Sequence, residues 1–219
     1  MREQYQQQLE AILGSLVGMT GEVRNALADA TRALLEADAA QAEKVIDGDL
    51  AIDSARERIE EDSFDILARQ SPVAGDLRTL VATLRMVADL ERMGDLAVNV
   101  AKVARRRYPA QAVPPLLVGT IEAMAATADH MIEQAAQILA SRDVDAAMTL
   151  EDTDDQMDTL RRSMFVALLS DEFTETVGRV EAAIDVALLG RFYERVGDHT
   201  VSMARRLVFI VTGEHPVSV

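Results

Sequence analysis

The sequence predicts an all-α protein of two tandem, pseudo-symmetric antiparallel three-helix bundles, six helices in all. Three observations lead there. Glu91-Arg92-Met93-Gly94-Asp95 returns as Glu194-Arg195-Val196-Gly197-Asp198, an offset of 103 residues in a chain of 219, so one unit of about half the chain occurs twice. Hydrophobic residues make up 49% but aromatic ones only 4%, with 5 prolines, a balance that suits helices of Ala, Leu, Val and Met better than a sheet. Apolar positions also recur every three or four residues over long stretches, the period of one helix face. The repeats are expected at 1–108 and 109–219.

The first helix is expected from about Glu3 to Leu35, with Leu9, Ile12, Leu16, Val23, Leu27 and Leu34 on its apolar face. Gly14, Gly18 and Gly21 interrupt it at up to ~1 kcal/mol each, so either packing compensates or close helix contacts need small residues there. Asp38 is the expected N-cap of a second helix that reaches about Arg69, with Gly48 as a point of bending. Ser71-Pro72 predicts the third start, a capping hydroxyl followed by proline at the first helical position, with Asp76 in the first turn. That helix should run to Arg107, where Arg105, Arg106 and Arg107 complement the negative end of the dipole, as Arg205 and Arg206 do later; a membrane- or partner-facing basic patch is the alternative. Tyr108 to Pro115, with three prolines, is the linker. The second half then offers helices near Val118 to Ala140, Asp143 to Leu169 and Phe173 to Val211, and a tail after Gly213.

Several chemistries are excluded by inventory. Cysteine is absent, which removes disulfides, zinc thiolates, iron–sulfur clusters and cysteine nucleophiles. A net charge of −15 repels phosphodiester backbones, so direct nucleic-acid binding is not expected. The polar start of the chain lacks the apolar core of a signal peptide, and no stretch approaches the ~18 uncharged apolar residues of a membrane span. A cytoplasmic protein with no transmembrane segment is expected.

The repeated acids carry the functional signal. A heptad seam drawn through Leu77, Val81, Leu84, Ala88, Glu91, Asp95 and Val98 places two carboxylates on a stripe expected to be buried, and Val180, Ile184, Ala187, Arg191, Glu194, Asp198 and Val201 repeat the pattern. Residues at i and i+4 face the same way, so each pair presents two carboxylates to one place. Burying such charges costs several kcal/mol per ion, which leaves protonation, arginine pairing or a bound cation as remedies. The preceding helix of each unit adds Asp49 and Asp53, or Asp154 and Asp158, at the same spacing. If those helices are antiparallel neighbours, four carboxylates converge in each unit, a donor set suited to hard divalent or ferric cations. The alternatives are an ion-pair network through Arg92 and Arg195, and, for the outer aspartates, a solvated acidic face. Arg92 and Arg195 are rotated about 100° from the adjoining glutamate and so better placed for a neighbouring helix.

Gly94 and Gly197 interrupt helices that otherwise avoid glycine, which requires a close approach by another helix, by solvent or by a bound group. Asn99, one turn past Asp95, is a further oxygen donor without a counterpart, since Ser202 holds that place in the second copy. His130, His199 and His215 are assigned surface or packing roles.

Pro72-Val73-Ala74-Gly75-Asp76-Leu77-Arg78 followed by Leu90-Glu91-Arg92-Met93-Gly94-Asp95, together with the second Glu194-Arg195-Val196-Gly197-Asp198, resembles the PhoU family of phosphate-uptake regulators over nearly the full chain. The resemblance implies two three-helix bundles whose E/D-xxx-D motifs hold multinuclear metal clusters. Asp49, Asp53, Glu91 and Asp95 would form one, and Asp154, Asp158, Glu194 and Asp198 the other, with Fe, Mn, Mg or Zn as the metal ion. Asp152 and Asp155 compete with the Asp154/Asp158 pair, whose offset is 105 rather than 103. It also implies a non-enzymatic negative regulator of phosphate uptake and phosphate homeostasis, an adaptor in signal transduction between the Pst transporter ATPase subunit and a phosphate-responsive sensor histidine kinase. A homodimer is expected, because thin elongated bundles leave apolar surface uncovered. Two other readings remain: a carboxylate-bridged di-iron oxidoreductase, which lacks the usual Glu-x-x-His pairs because Gly94 and Gly197 stand where histidine would, and a metal-free helical scaffold.

Overall fold

A computed structural model describes residues 2–176 and 180–214. The elements are α1 (Arg2–Glu36), α2 (Ala39–Gln70), α3 (Ala74–Arg107), α4 (Pro115–Ser141), α5 (Val144–Leu168), the short α6 (Asp171–Thr176) and α7 (Val180–Thr212). No strand occurs among the described residues. The first three helices form one bundle, and α4, α5 and α7 form the other.

The expected Asp38 cap is present, and Asp143, placed by the sequence only at a helix start, makes the same kind of cap. Asp38 accepts a hydrogen bond from the Gln41 amide at 2.9 Å, and Asp143 accepts one from the Ala146 amide at 3.0 Å, each satisfying a donor that the first helical turn leaves open. From its cap α2 runs unbroken through Gly48.

Three boundaries differ from the sequence expectation. Ser71 does not cap α3; it ends α2 in the left-handed conformation at φ 47, and α3 begins at Ala74 after Val73, which makes no side-chain cap. A residue before proline is barred from continuing a right-handed helix, so Ser71 is used to stop one helix rather than to start the next. Pro115 is the first residue of α4 rather than the last of the linker, because its fixed φ is already helical and its missing amide is no loss there. The last long helix starts at Val180, and the expected start at Phe173 falls inside α6, where the buried Phe173 ring anchors a separate turn. Residues 177–179, between them, lie outside the described residues.

The two bundles lie alongside one another. Helix α1 packs on α4 and α3 packs on α7, so α2 and α5 are the outer helices. One continuous hydrophobic core results, with Leu16, Met19, Leu90 and Met93 from the first bundle meeting Ile121, Met124, Met131 and Leu189 from the second. Each such side chain contributes about 1.5–3 kcal/mol on burial. This lateral packing covers apolar surface that two thin, elongated bundles are expected to leave open. The glycines of α1 serve no close contact, because a Cβ at Gly14, Gly18 or Gly21 would meet nothing within 4 Å. Burial of Ile12, Leu16, Met19 and Val23 offsets their helix cost.

Polar clips cross the inter-bundle contact. Arg24 of α1 grips Asp129 of α4 through two hydrogen bonds of 2.7 and 2.8 Å, and Thr31 shares a 2.8 Å hydrogen bond with the buried Tyr193 hydroxyl. Between α3 and α7, buried Asp185 receives both Arg106 and Arg107. In the opposite sense, buried Asp89 of α3 receives Arg206 and, at 3.1 Å, His199 Nδ1. The basic residues near the helix ends are therefore neither plain dipole complements nor a free patch. Arg105 pairs with Glu43 at 3.1 Å and Arg205 with Glu151 at 2.8 Å, because antiparallel neighbours bring a carboxylate to the level of each.

Candidate functional site

The repeated acids lie along the junction of each outer helix with the last helix of its bundle. This is not the buried stripe that the heptad seam predicts. Leu77, Val81 and Ala88 on α3 are exposed, as are Val180 and Ile184 on α7, whereas Leu80, Val87, Leu90, Met93 and Ala97 fill the core. The third and last helices each pack against three neighbours, so their apolar face is wide and shifted around the helix. The acids fall on its margin.

In the first repeat, Asp49 and Asp53 of α2 stand against Glu91 and Asp95 of α3, all four half-buried. Gly94 sets the approach. A Cβ there would lie 3.1 Å from Ile52 Cδ1 and 3.5 Å from Asp49 Oδ1, so the missing side chain lets α2 and its carboxylate lie close against α3. Burial pushes the Asp49 carboxyl above its ordinary range, repulsion from Asp53 and Asp95 pushes it further, and Lys102 opposes. Glu91 is raised first by burial and then by Asp95 and Asp53, against Arg92 and Arg56. Counter-charge is held at a distance: Arg92 comes within 3.7 Å of both Glu91 and Asp95, and Arg56 within 4.0 Å of Asp53. Arg92 thus turns to the acids of its own helix rather than to a neighbouring one, since its long stem spans the 100° rotation.

The second repeat rebuilds this arrangement more tightly. A Cβ at Gly197 would stand 2.8 Å from Asp154 Oδ1 and 3.3 Å from Met131 Sδ. Burial raises the Asp154 carboxyl to about 6, with Asp198, Asp158, Asp155 and Glu194 adding repulsion. Glu194 is buried and pairs with Arg191 of its own helix and with Arg161 Nε of α5 at 3.4 Å. Asp158 is half-buried, Asp198 is exposed, and exposed Arg195 makes no ion pair among the described residues.

Each quartet is therefore brought together electrostatically. Among the described residues no three acidic or histidine side chains stand at metal-ligand geometry. What the arrangement offers is two all-oxygen carboxylate patches whose members raise one another's affinity for positive charge.

Four residues of consequence escape the sequence reading. Arg56 and Arg161 belong to a second repeated pattern, Asp49-x-x-Ile52-Asp53-x-x-Arg56 and Asp154-x-x-Met157-Asp158-x-x-Arg161, visible once the offset of 105 is applied to the outer helices. Asp89 and Asp185 have no such signal beyond being single acids among apolar neighbours. They matter because burial makes each depend on its arginines. His199 gains an inter-helix role with Asp89, His130 is exposed, and His215 lies outside the described residues.

Comparison with known proteins follows the same duplication. A family model described as the PhoU domain matches residues 16–104 and again 121–207. The phosphate-specific transport system accessory protein PhoU homolog 2 of Mycobacterium tuberculosis is 43% identical over 216 residues, covering 99% of this chain and 100% of that one. A PhoU homolog of the same description from Rhizobium meliloti is 29% identical over 212 residues, 97% of this chain and 89% of the relative. The crystal structure of PhoU from Pseudomonas aeruginosa superposes with a TM-score of 0.86 at 27% identity, covering 96% of this chain and all of that chain. The Streptococcus pneumoniae phosphate transport system regulatory protein PhoU, at 22% identity and TM-score 0.86, shares the fold over 98% of this chain and all of its own. With two family domains spanning most of its length and a close relative aligned almost end to end, the chain belongs to the PhoU family.

Proposed function

We propose that this protein is a cytoplasmic, non-enzymatic negative regulator of phosphate uptake, an adaptor between the ATPase of a phosphate-specific transporter and a phosphate-responsive sensor kinase. The observation that carries the reading is the 43% identity, over 99% of the chain, to an accessory protein of the phosphate-specific transport system. A homodimer belongs to the same reading, as does the absence of direct nucleic-acid binding, for which the charge of −15 argues. Deleting the gene is expected to raise phosphate uptake in phosphate-replete cells, with the purified protein binding the transporter ATPase. Unchanged uptake together with no ATPase binding overturns the regulatory reading, and sedimentation tests the dimer.

The two carboxylate patches belong to the proposal as cation sites. Asp49, Asp53, Glu91 and Asp95 would hold one group, and Asp154, Asp158, Glu194 and Asp198 the other. A hard cation supplies charge neutralisation there. The chain's own part is to aim carboxylates from two helices at one place and to keep Gly94 and Gly197 free of a side chain. Titration with Mn2+, Mg2+, Zn2+ and Fe3+ should give saturable binding and a raised Tm. Asp49→Asn/Asp95→Asn and Asp154→Asn/Asp198→Asn should each remove part of both effects. Retention of all binding in the combined variant defeats the cation assignment.

A further inference from the structure

The outer helices α2 and α5 hold on to their bundles with different side chains. Neither belongs to the contact between the bundles, so either can shift without parting α1 and α3 from α4 and α7. Four β-branched residues, Val45, Ile52, Ile59 and Ile66, make up most of the buried apolar face of α2. Helix α5 buries no β-branched apolar residue: its apolar contacts are Ala147, Leu150, Met157 and Met164. The offset of 105 that relates the outer helices puts Met157 where Ile52 stands and Met164 where Ile59 stands. A β-branched side chain has one strongly preferred rotamer in a helix and fits its neighbours in one way. A thioether turns about three bonds and refits as its neighbours move.

The facing helix of the second bundle is shaped to match. Val87 of α3 has its counterpart, at the offset of 103, in Gly190 of α7. A Cβ at Gly190 would lie 2.6 Å from Met164 Sδ, and one at Gly197 3.3 Å from Met131 Sδ. Two notches about two turns apart on one face of α7 thus receive flexible thioether ends, where the first repeat has Val87 and, against Gly94, the branched Ile52. Arg191 adds to the contrast. It pairs with Glu194 along α7 itself, so this buried carboxylate keeps a counter-charge when Arg161 of α5 moves off. Ala88 holds that place in the first repeat, where α3 makes no such provision.

We propose that α5 is a movable element of the fold, exchanging between two seatings on α7 as Met157 and Met164 refit against its notched face, while α2 stays fixed on α3. Small slides of packed helices are a common switching motion. Here the slide carries Asp154, Asp158 and Arg161 together relative to Glu194 and Asp198, so the second carboxylate patch has two arrangements and the first has one. The rest of the seam gives with α5 rather than resisting it, since α4 also presents methionines, Met124 and Met131, both fully buried.

The test uses the full chain, chelator-treated, with carbon-13 in the methionine methyls. Relaxation dispersion reads exchange on the μs–ms timescale. It is expected at Met157 and Met164 and absent at Met19, Met86 and Met93, which are as deeply buried in the first bundle. Amide hydrogen exchange, corrected for intrinsic rates, should run about tenfold faster along α5 than along α2. Met157→Ile/Met164→Ile/Gly190→Val copies the first repeat into the second and should remove that difference without changing α2. Ile52→Met/Ile59→Met should speed exchange along α2 about tenfold and leave α5 alone, a readout that survives if the triple variant fails to fold. Flat dispersion at Met157 and Met164 overturns the proposal, as does equal exchange along α2 and α5. So does fast exchange along α5 that persists in the folded triple variant, because the shorter helix, and not its methionines, then sets the rate.

Discussion

The two carboxylate sites share a five-residue motif and differ in how their charge is balanced. In the first repeat, Glu91 is half-buried and its nearest guanidinium, Arg92, stands off at 3.7 Å. In the second, Glu194 is buried between Arg161 and Arg191. The position three residues before the glutamate makes the difference: it is Ala88 in one copy and Arg191 in the other. A glutamate and an arginine one helical turn apart meet on the same face, so the second copy carries its counter-charge with it. The first keeps more of its negative charge for something else. A repeated motif fixes where carboxylates stand, and the residue a turn away decides how much charge they show.

The largest expected effect concerns the clip that each repeat gives the other. Asp185 is 2% exposed and holds two arginines, while Asp89 is 8% exposed and holds one arginine and a histidine. Asp185→Ala should cost about 3 kcal/mol in urea unfolding and Asp89→Ala about 2, because removing one partner of a buried pair strands the other. Equal losses would show that the two clips are interchangeable. Next comes Arg191→Ala, expected to cost about 1.5 kcal/mol by leaving Glu194 to Arg161 alone. The mirror change Ala88→Arg, at an exposed position, should move stability by less than about 0.5 kcal/mol. It should also weaken Mn2+ binding at the first site if that charge is what a cation senses.

Glycine substitutions separate the sites further. Gly94→Ala presses a methyl against buried, branched Ile52, and should cost about 1 kcal/mol despite the helix propensity it gains. Gly197→Ala meets the ends of Asp154 and Met131, which can swing aside, so the gain in propensity should leave stability nearly unchanged. Similar losses at the two would mean that the second site is as rigid as the first.

A pH dependence is expected in chelator-treated protein. Folding raises Asp154 from its ordinary 3.8 to about 6, so between those values the folded state binds more protons than the unfolded chain. The favourable contribution is full below about pH 4 and is lost as pH rises through 6. Asp154→Asn should therefore stabilise the protein by about 1 kcal/mol at pH 8, after allowance for solvent screening, and by almost nothing at pH 4. Asp49→Asn should act in the same direction, since burial and like charge also raise Asp49. A stabilisation independent of pH would mean that the gain comes from something other than charge.

Much of the fold was legible because the repeat states it twice. The acids, the glycines and the Asp38 cap need only local periodicity and spacing, and Gly94 and Gly197 do mark close approaches. The orientation of the helices was harder to read. A heptad seam through Leu77 and Glu91 has the right period, but a helix packed against three neighbours buries a wide arc, and the period cannot say which edge of that arc faces water. Ser71 misled for a related reason: a hydroxyl before proline serves a helix start or a helix stop, and the left-handed turn that decides is not in the pattern. Asp89 and Asp185 were illegible because their partners lie about 80 to 120 residues away on a helix from the other repeat.

The lateral contact of α1 and α3 with α4 and α7 has one more consequence. The broad greasy flank that an isolated three-helix unit would offer to a sister molecule is already spent inside this polypeptide, capped by its own second half. Higher assembly, whatever its stoichiometry, must proceed through the outward surfaces left over, and those are bordered by α2 and α5.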